Sequence, residues 1–117
     1  MSIQRIDTKP TYSEIVIHNN TVYLSGQVAQ QYAGQDFKSQ AKEVFSMVDF
    51  HLQRVGSSKG KILNLQVFLT DPENYGAMNK VFLEWMPEGK APARNTICGV
   101  KFPNPGWAIE VVVTAAI

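Results

Sequence analysis

The 117-residue chain has 44% apolar and 18% charged residues, the composition of one ordinary globular domain spanning 1–117 and able to bury about two thirds of its unfolded surface. Eleven basic and ten acidic residues give a net charge of +1. Neither sign clusters, which argues against a nucleic-acid partner, and no stretch approaches the ~18 apolar residues of a membrane span. Met1 to Asp7 lacks the apolar core of a signal peptide, so the expected location is the cytoplasm. One cysteine, Cys98, excludes an internal disulfide, and His18 and His51 share no ligand spacing, so no metal is expected.

Ile3 to Ile6 reads as a first strand, broken by Thr8-Lys9-Pro10-Thr11, with Tyr12 and Ser13 after the break. Glu14–His18 and Thr21–Ser25 are β-branched and aromatic, and Asn19-Asn20 between them is a two-residue turn tolerant of positive φ. This is the clearest hairpin in the chain. At its end, Gly26 in Ser25-Gly26-Gln27 marks either a close backbone approach or a strand-end bulge.

Gln30 to Asp36 is a polar loop ending in an N-cap residue, Asp36. Phe37, Ala41, Val44, Val48, Leu52 and Val55 then recur at helical spacing over about five turns, and Gly56 closes the helix. His51, late in this helix, reads as a surface or helix-end residue rather than a catalytic one. Ile62–Leu69 reads as a central strand ended by Thr70-Asp71-Pro72. A second helix begins near Glu73 to Tyr75, faces inward with Met78, Val81, Phe82 and Trp85, and stops at Pro87 and Gly89. Asn79 on it suits a surface, core-polar or ligand-facing role equally.

Ala93 to Val100 and Trp107 to Ile117 are the last two strands, joined by the turn Pro103-Asn104-Pro105-Gly106. The final strand is almost continuously hydrophobic, which suggests cover on both faces. The order β-β-β, helix, β, helix, β-β gives an α+β domain: a single mixed six-stranded sheet with two helices on one face. Phe68, Trp107 and the terminal valines leave apolar material for the other face, so packing against further copies of the chain is expected.

Two charges interrupt these apolar strands. Glu110 is the only charge in its strand and must have a partner, reach water in a cleft, or hold a shifted pKa. Arg94, after Ala91-Pro92-Ala93, offers the planar fork that grips a carboxylate. A structural Arg94–Glu110 ion pair and a functional site both remain open.

Tyr12-Ser13 with Val22-Tyr23-Leu24-Ser25-Gly26-Gln27, then Ala77-Met78-Asn79, then Pro92-Ala93-Arg94 with Ile109-Glu110 together resemble the reactive intermediate deaminase (RidA) family of enamine and imine deaminases. The resemblance spans the whole chain in order. It implies a chorismate-mutase-like subunit in a homotrimer with sheets inward and three inter-subunit clefts. It also implies 2-iminobutanoate/2-iminopropanoate deaminase activity in the control of metabolite damage, without cofactor. Arg94 would bind the carboxylate of a small 2-imino acid, and Glu110 would position or activate water. The positions of Tyr12, Ser25, Gly26 and Asn79 would line the same cleft. Deaminating members usually carry a small residue and then a cysteine after the arginine, whereas this chain has Asn95 and Thr96, so Thr96 would stand at the substrate in place of that cysteine. Cys98 lies two residues further on and reads as a small strand residue.

The implied reaction is hydrolysis of a 2-enamine or 2-imine acid to a 2-oxo acid and ammonia, with Arg94 orienting and Glu110 moving protons. The competing reading is a non-catalytic protein that binds small carboxylate metabolites in that cleft. An endoribonuclease role fits poorly, because neither a basic surface nor a paired acid–base histidine site is indicated.

Overall fold

A computed structural model describes residues 2–117. The chain runs through β1 (Gln4–Thr8), β2 (Ser13–His18), β3 (Thr21–Leu24), β4 (Gln27–Val28), α1 (Phe37–Arg54), β5 (Ile62–Leu69), α2 (Tyr75–Trp85), β6 (Ala93–Cys98) and β7 (Ile109–Ala116), with short 3₁₀ turns at Lys59–Lys61 and Pro72–Asn74. The strands make one mixed sheet in the order β1-β2-β3-β7-β5-β6, with β4 also paired to β7. Among the described residues only β5 and β6 run parallel.

The sheet has seven strands rather than six, and the extra one is β4. After Leu24 the chain leaves β2, and Gln27 and Val28 pair with Val111 and Glu110. Two residues are too few for alternation to show in a sequence. The hairpin forms where expected, with Asn19 and Asn20 both at positive φ, 51° and 58°, as a tight β2–β3 turn requires.

Helix α1 starts where Asp36 accepts the Ser39 N–H, 3.1 Å, and ends before Gly56, whose φ of +79° completes the C-terminal turn. Its buried stripe Ala41, Val44, Phe45, Val48 and Leu52 joins Met78, Val81 and Phe82 of α2 and alternate strand residues in one core. Both helices therefore cover the same sheet face. Phe45, Phe82 and Trp85 stack across the helix pair at centroid distances of 4.6–6.1 Å, and Trp85 Nε1 donates to Asp49 Oδ2, 2.8 Å, so its polar tip is satisfied.

Strand β7 shows strict alternation. Ile109, Val111, Val113 and Ala115 are buried under the helices, while Glu110, Val112, Thr114 and Ala116 are half-buried on the opposite face. Cover on both faces is thus not achieved among the described residues; the continuous apolar run reflects Val112 and Ala116 lying on the face away from the helices. Strand β6 stops at Cys98 rather than Val100 because Gly99 turns away at φ +82°. β7 starts at Ile109 because Trp107 still belongs to the turn, its N–H bonded to Asn104 O at 3.1 Å.

Candidate functional site

A cleft of about 920 Å³ lies where the Ser25–Val28 segment, α1 and the start of β7 come together, and Tyr12, Ser25, Gly26 and Glu110 all line it. Four of the residues singled out in the sequence thus meet at one place. Tyr12 stands half-exposed ahead of β2. Gly26 is a close-approach glycine: a Cβ there would lie 2.6 Å from Glu110 Oε2 and 2.7 Å from its Cδ. A side chain at position 26 would push the carboxyl group aside. The pairing of Val28 with Glu110 fixes this juxtaposition. Burial raises the Glu110 pKa above that of an ordinary glutamate, which makes the carboxyl a better proton carrier near neutral pH.

Arg94 is elsewhere. It pairs with Leu65 of β5, whereas Glu110 pairs with Phe68 of the same strand. Leu65 and Phe68 are three residues apart and so point to opposite faces. Arg94 therefore lies on the helix side and Glu110 on the open side, which excludes an ion pair between them within one chain. The guanidinium sits 5.0 Å over the Phe82 ring and 5.9 Å over Tyr75, with Nη2 donating to Tyr75 Oη at 3.4 Å and Nη1 near Met78 Sδ at 3.9 Å. Among the described residues no carboxylate lies within ion-pair distance of it. It is packed by aromatic rings and retains donors for an anion.

Thr96 follows Arg94 by two residues on β6 and pairs with buried Val67, so it shares that face. Asn79 is half-buried on α2, one turn after Tyr75 and on the same helix face. The expected site residues thus fall into two sets: Tyr12, Ser25, Gly26 and Glu110 at the cleft, and Asn79, Arg94 and Thr96 around the outer edge of β6 and α2. Cys98 is exposed at the end of β6.

His51 lies in the last turn of α1, one of the two expected placements, but not on the open surface. It lines the cleft with its side chain 12% exposed, Nε2 standing 3.2 Å from Glu14 Oε1. Arg54 Nη1 lies 3.1 Å from His51 Nδ1, and Arg54 Nη2 donates to Asp7 Oδ2 at 2.8 Å. Burial lowers the His51 pKa; Glu14 and Asp7 oppose this and Arg54 adds to it. Glu14 Oε1 also accepts from Gln27 Nε2, 2.8 Å, and Ser25 Oγ, 3.3 Å. No local pattern in the sequence links these residues, because β1, β2, β4 and α1 meet only in the folded chain.

Residues 2–117 match the family model described as Endoribonuclease L-PSP. A RutC family protein of Haemophilus influenzae is 38% identical over 115 residues, covering 98% of each chain. An uncharacterized protein of Pseudomonas aeruginosa has a crystal structure that superposes with a TM-score of 0.92 at 35% identity, covering 98% of each chain. RidA from an Antarctic Psychrobacter superposes at 0.82 with 29% identity, over 94% of this chain and 91% of that one. Whole-length matches of this kind, to a family model and to relatives above 30% identity that carry the RutC family name, place the chain in the Endoribonuclease L-PSP family.

Proposed function

We propose that this protein hydrolyses reactive 2-enamine and 2-imine acids to 2-oxo acids and ammonia, as a homotrimer in which Glu110 of one copy meets Arg94 of the next. The observation that carries this reading is the Glu110 carboxyl, raised in pKa by burial and pressed against Gly26 in a cleft. Arg94 holds the substrate carboxylate through two parallel N–H donors. Water adds to C2 of the imine while Glu110 takes a proton from it and returns one to nitrogen. The resulting carbinolamine expels ammonia and leaves the C=O group. The imine is already electrophilic, so orientation and proton transfer suffice, the latter contributing about 10²–10⁴-fold.

The separation of Arg94 and Glu110 on opposite sheet faces supports a site shared between copies, since a single chain cannot bring them together. A small carboxylate substrate suits the site better than RNA, given a net charge of +1 without a basic cluster. Ammonia release from a freshly generated 2-imino acid tests the proposal. Accelerated release that drops with Arg94→Ala is the expected result, with Arg94→Lys recovering only part of it because the fork is lost. Tight oxo-acid binding without accelerated release would instead favour a carboxylate-binding protein.

A further inference from the structure

The Ser25 hydroxyl has its proton assigned by its neighbours. Arg54 has only donors, so the contact between its Nη1 and His51 Nδ1 makes Nδ1 an acceptor. A neutral imidazole then carries its hydrogen on Nε2, which faces Glu14 Oε1 at 3.2 Å. The Gln27 amide, in a side chain only 2% exposed, gives its two N–H groups to Glu14 Oε1, 2.8 Å, and to Ser25 O, 2.9 Å. Glu14 Oε1 is thus surrounded by donors, and Ser25 Oγ gives it its one hydrogen, 3.3 Å. What Ser25 turns toward the cleft is lone pairs.

We propose that Glu14 is a positioning residue that locks Ser25 as a hydrogen-bond acceptor, so that the cleft selects flat carboxylates bearing an N–H next to the carboxylate-bearing carbon over equivalents bearing only an oxygen acceptor there. This rests on the cleft being the imine-acid site. In that reaction the enamine and protonated imine carry the N–H, and the 2-oxo acid product presents lone pairs to lone pairs. The same contact that retains substrate favours release of product. The charge of Glu14 is not the essential feature; its ability to accept is.

Pyrrole-2-carboxylate and furan-2-carboxylate test this without turnover, being alike in size and planarity and differing in N–H against O. Calorimetric titration of wild-type protein should show the pyrrole acid binding about tenfold more tightly or better, the scale of one hydrogen bond to a fixed acceptor. Ser25→Ala and Glu14→Ala should bring the two ligands within about twofold, while Glu14→Gln, whose amide oxygen still accepts, should keep the preference. Ser25→Ala removes only a hydroxyl and carries the test even if Glu14→Ala does not fold. Equal binding of both acids to wild type, or a preference that survives Ser25→Ala, overturns the inference and leaves the carboxylate cleft intact. Failure of wild type to bind either acid overturns both. A wild type that shows the N–H preference but releases no ammonia keeps the acceptor assignment and overturns deamination alone.

Discussion

Gly26 and Glu110 are a matched pair, and each predicts something different when changed. Gly26→Ala meets the far end of a flexible side chain rather than backbone, so the fold should survive with a melting temperature close to wild type. The displaced carboxyl group should lose about 10²-fold in turnover, the scale of an ångström-sized misplacement of a catalytic group. Glu110→Gln should abolish about 10²–10⁴-fold of the acceleration, since an amide does not exchange protons near neutral pH. Its effect on stability has the opposite sign. Because burial raises the folded-state pKa of Glu110, stability from this group is present below the unfolded value near 4.5 and is lost as pH rises through the folded value. The Gln variant should therefore melt above wild type at pH 7 and converge with it toward pH 4, as thermal scans across that range would show. A variant that melts lower at pH 7 would mean that Glu110 is held by a cation there.

The elements show why some of this was legible in the sequence. Helix α1 was readable from Asp36 to Gly56 because caps and apolar spacing are local, and the β2–β3 turn was readable because two adjacent asparagines encode it. Glu110 stood out as a single charge in an apolar run, and Arg94 by its place after a proline. The Glu14–His51–Arg54–Asp7 cluster was not legible, because its members come from three elements and none breaks a local pattern. The placement of Arg94 opposite Glu110 needed the β6-β5-β7 order, which periodicity does not contain. A second hidden device ties the loop before α1 to the helix. The backbone N–H groups of Gln30, Gln31 and Tyr32 all donate to the Glu43 carboxylate, at 3.1, 2.9 and 2.9 Å. Burial works against this carboxylate, yet the three donors outweigh it and hold its pKa below the ordinary value. The stability it contributes is present above the unfolded value near 4.5 and lost as pH falls through the lower folded value. Glu43→Ala should cost about 1 kcal/mol at pH 7, allowing for screening at this exposed loop, and the difference from wild type should vanish at the acid end of a denaturant series.

At the scale of the molecule, the face of the sheet opposite the helices carries Tyr23, Phe68 and Val112 beside Gln66, Glu110 and Thr114, a surface half apolar and half polar. If copies pack there as a trimer, Val112→Asp should yield monomers in sedimentation and remove turnover while each subunit keeps its helical signal. Wild-type monomers at micromolar concentration would instead remove the shared cleft. The sheet has one more property, which concerns its assembly in time. Strand β7 is the last in chain order, yet it lies inside the sheet, with β3 and β4 along one edge and β5 along the other. During synthesis the β1–β2–β3 meander and the β5–β6 pair must leave the ribosome as separate pieces with unsatisfied edges, because the strand that joins them does not yet exist. Such edges template pairing with other chains. The joining contacts also span most of the chain, as in Val22 with Ala115, which makes closure slow relative to a fold of local contacts. Nascent chains arrested before Ile109 should therefore be protease-sensitive however long they wait, and those arrested after Ala116 has cleared the exit tunnel should become resistant in one step. For this domain, folding waits on the emergence of β7, and the interval before that strand appears is when a chaperone has most to protect.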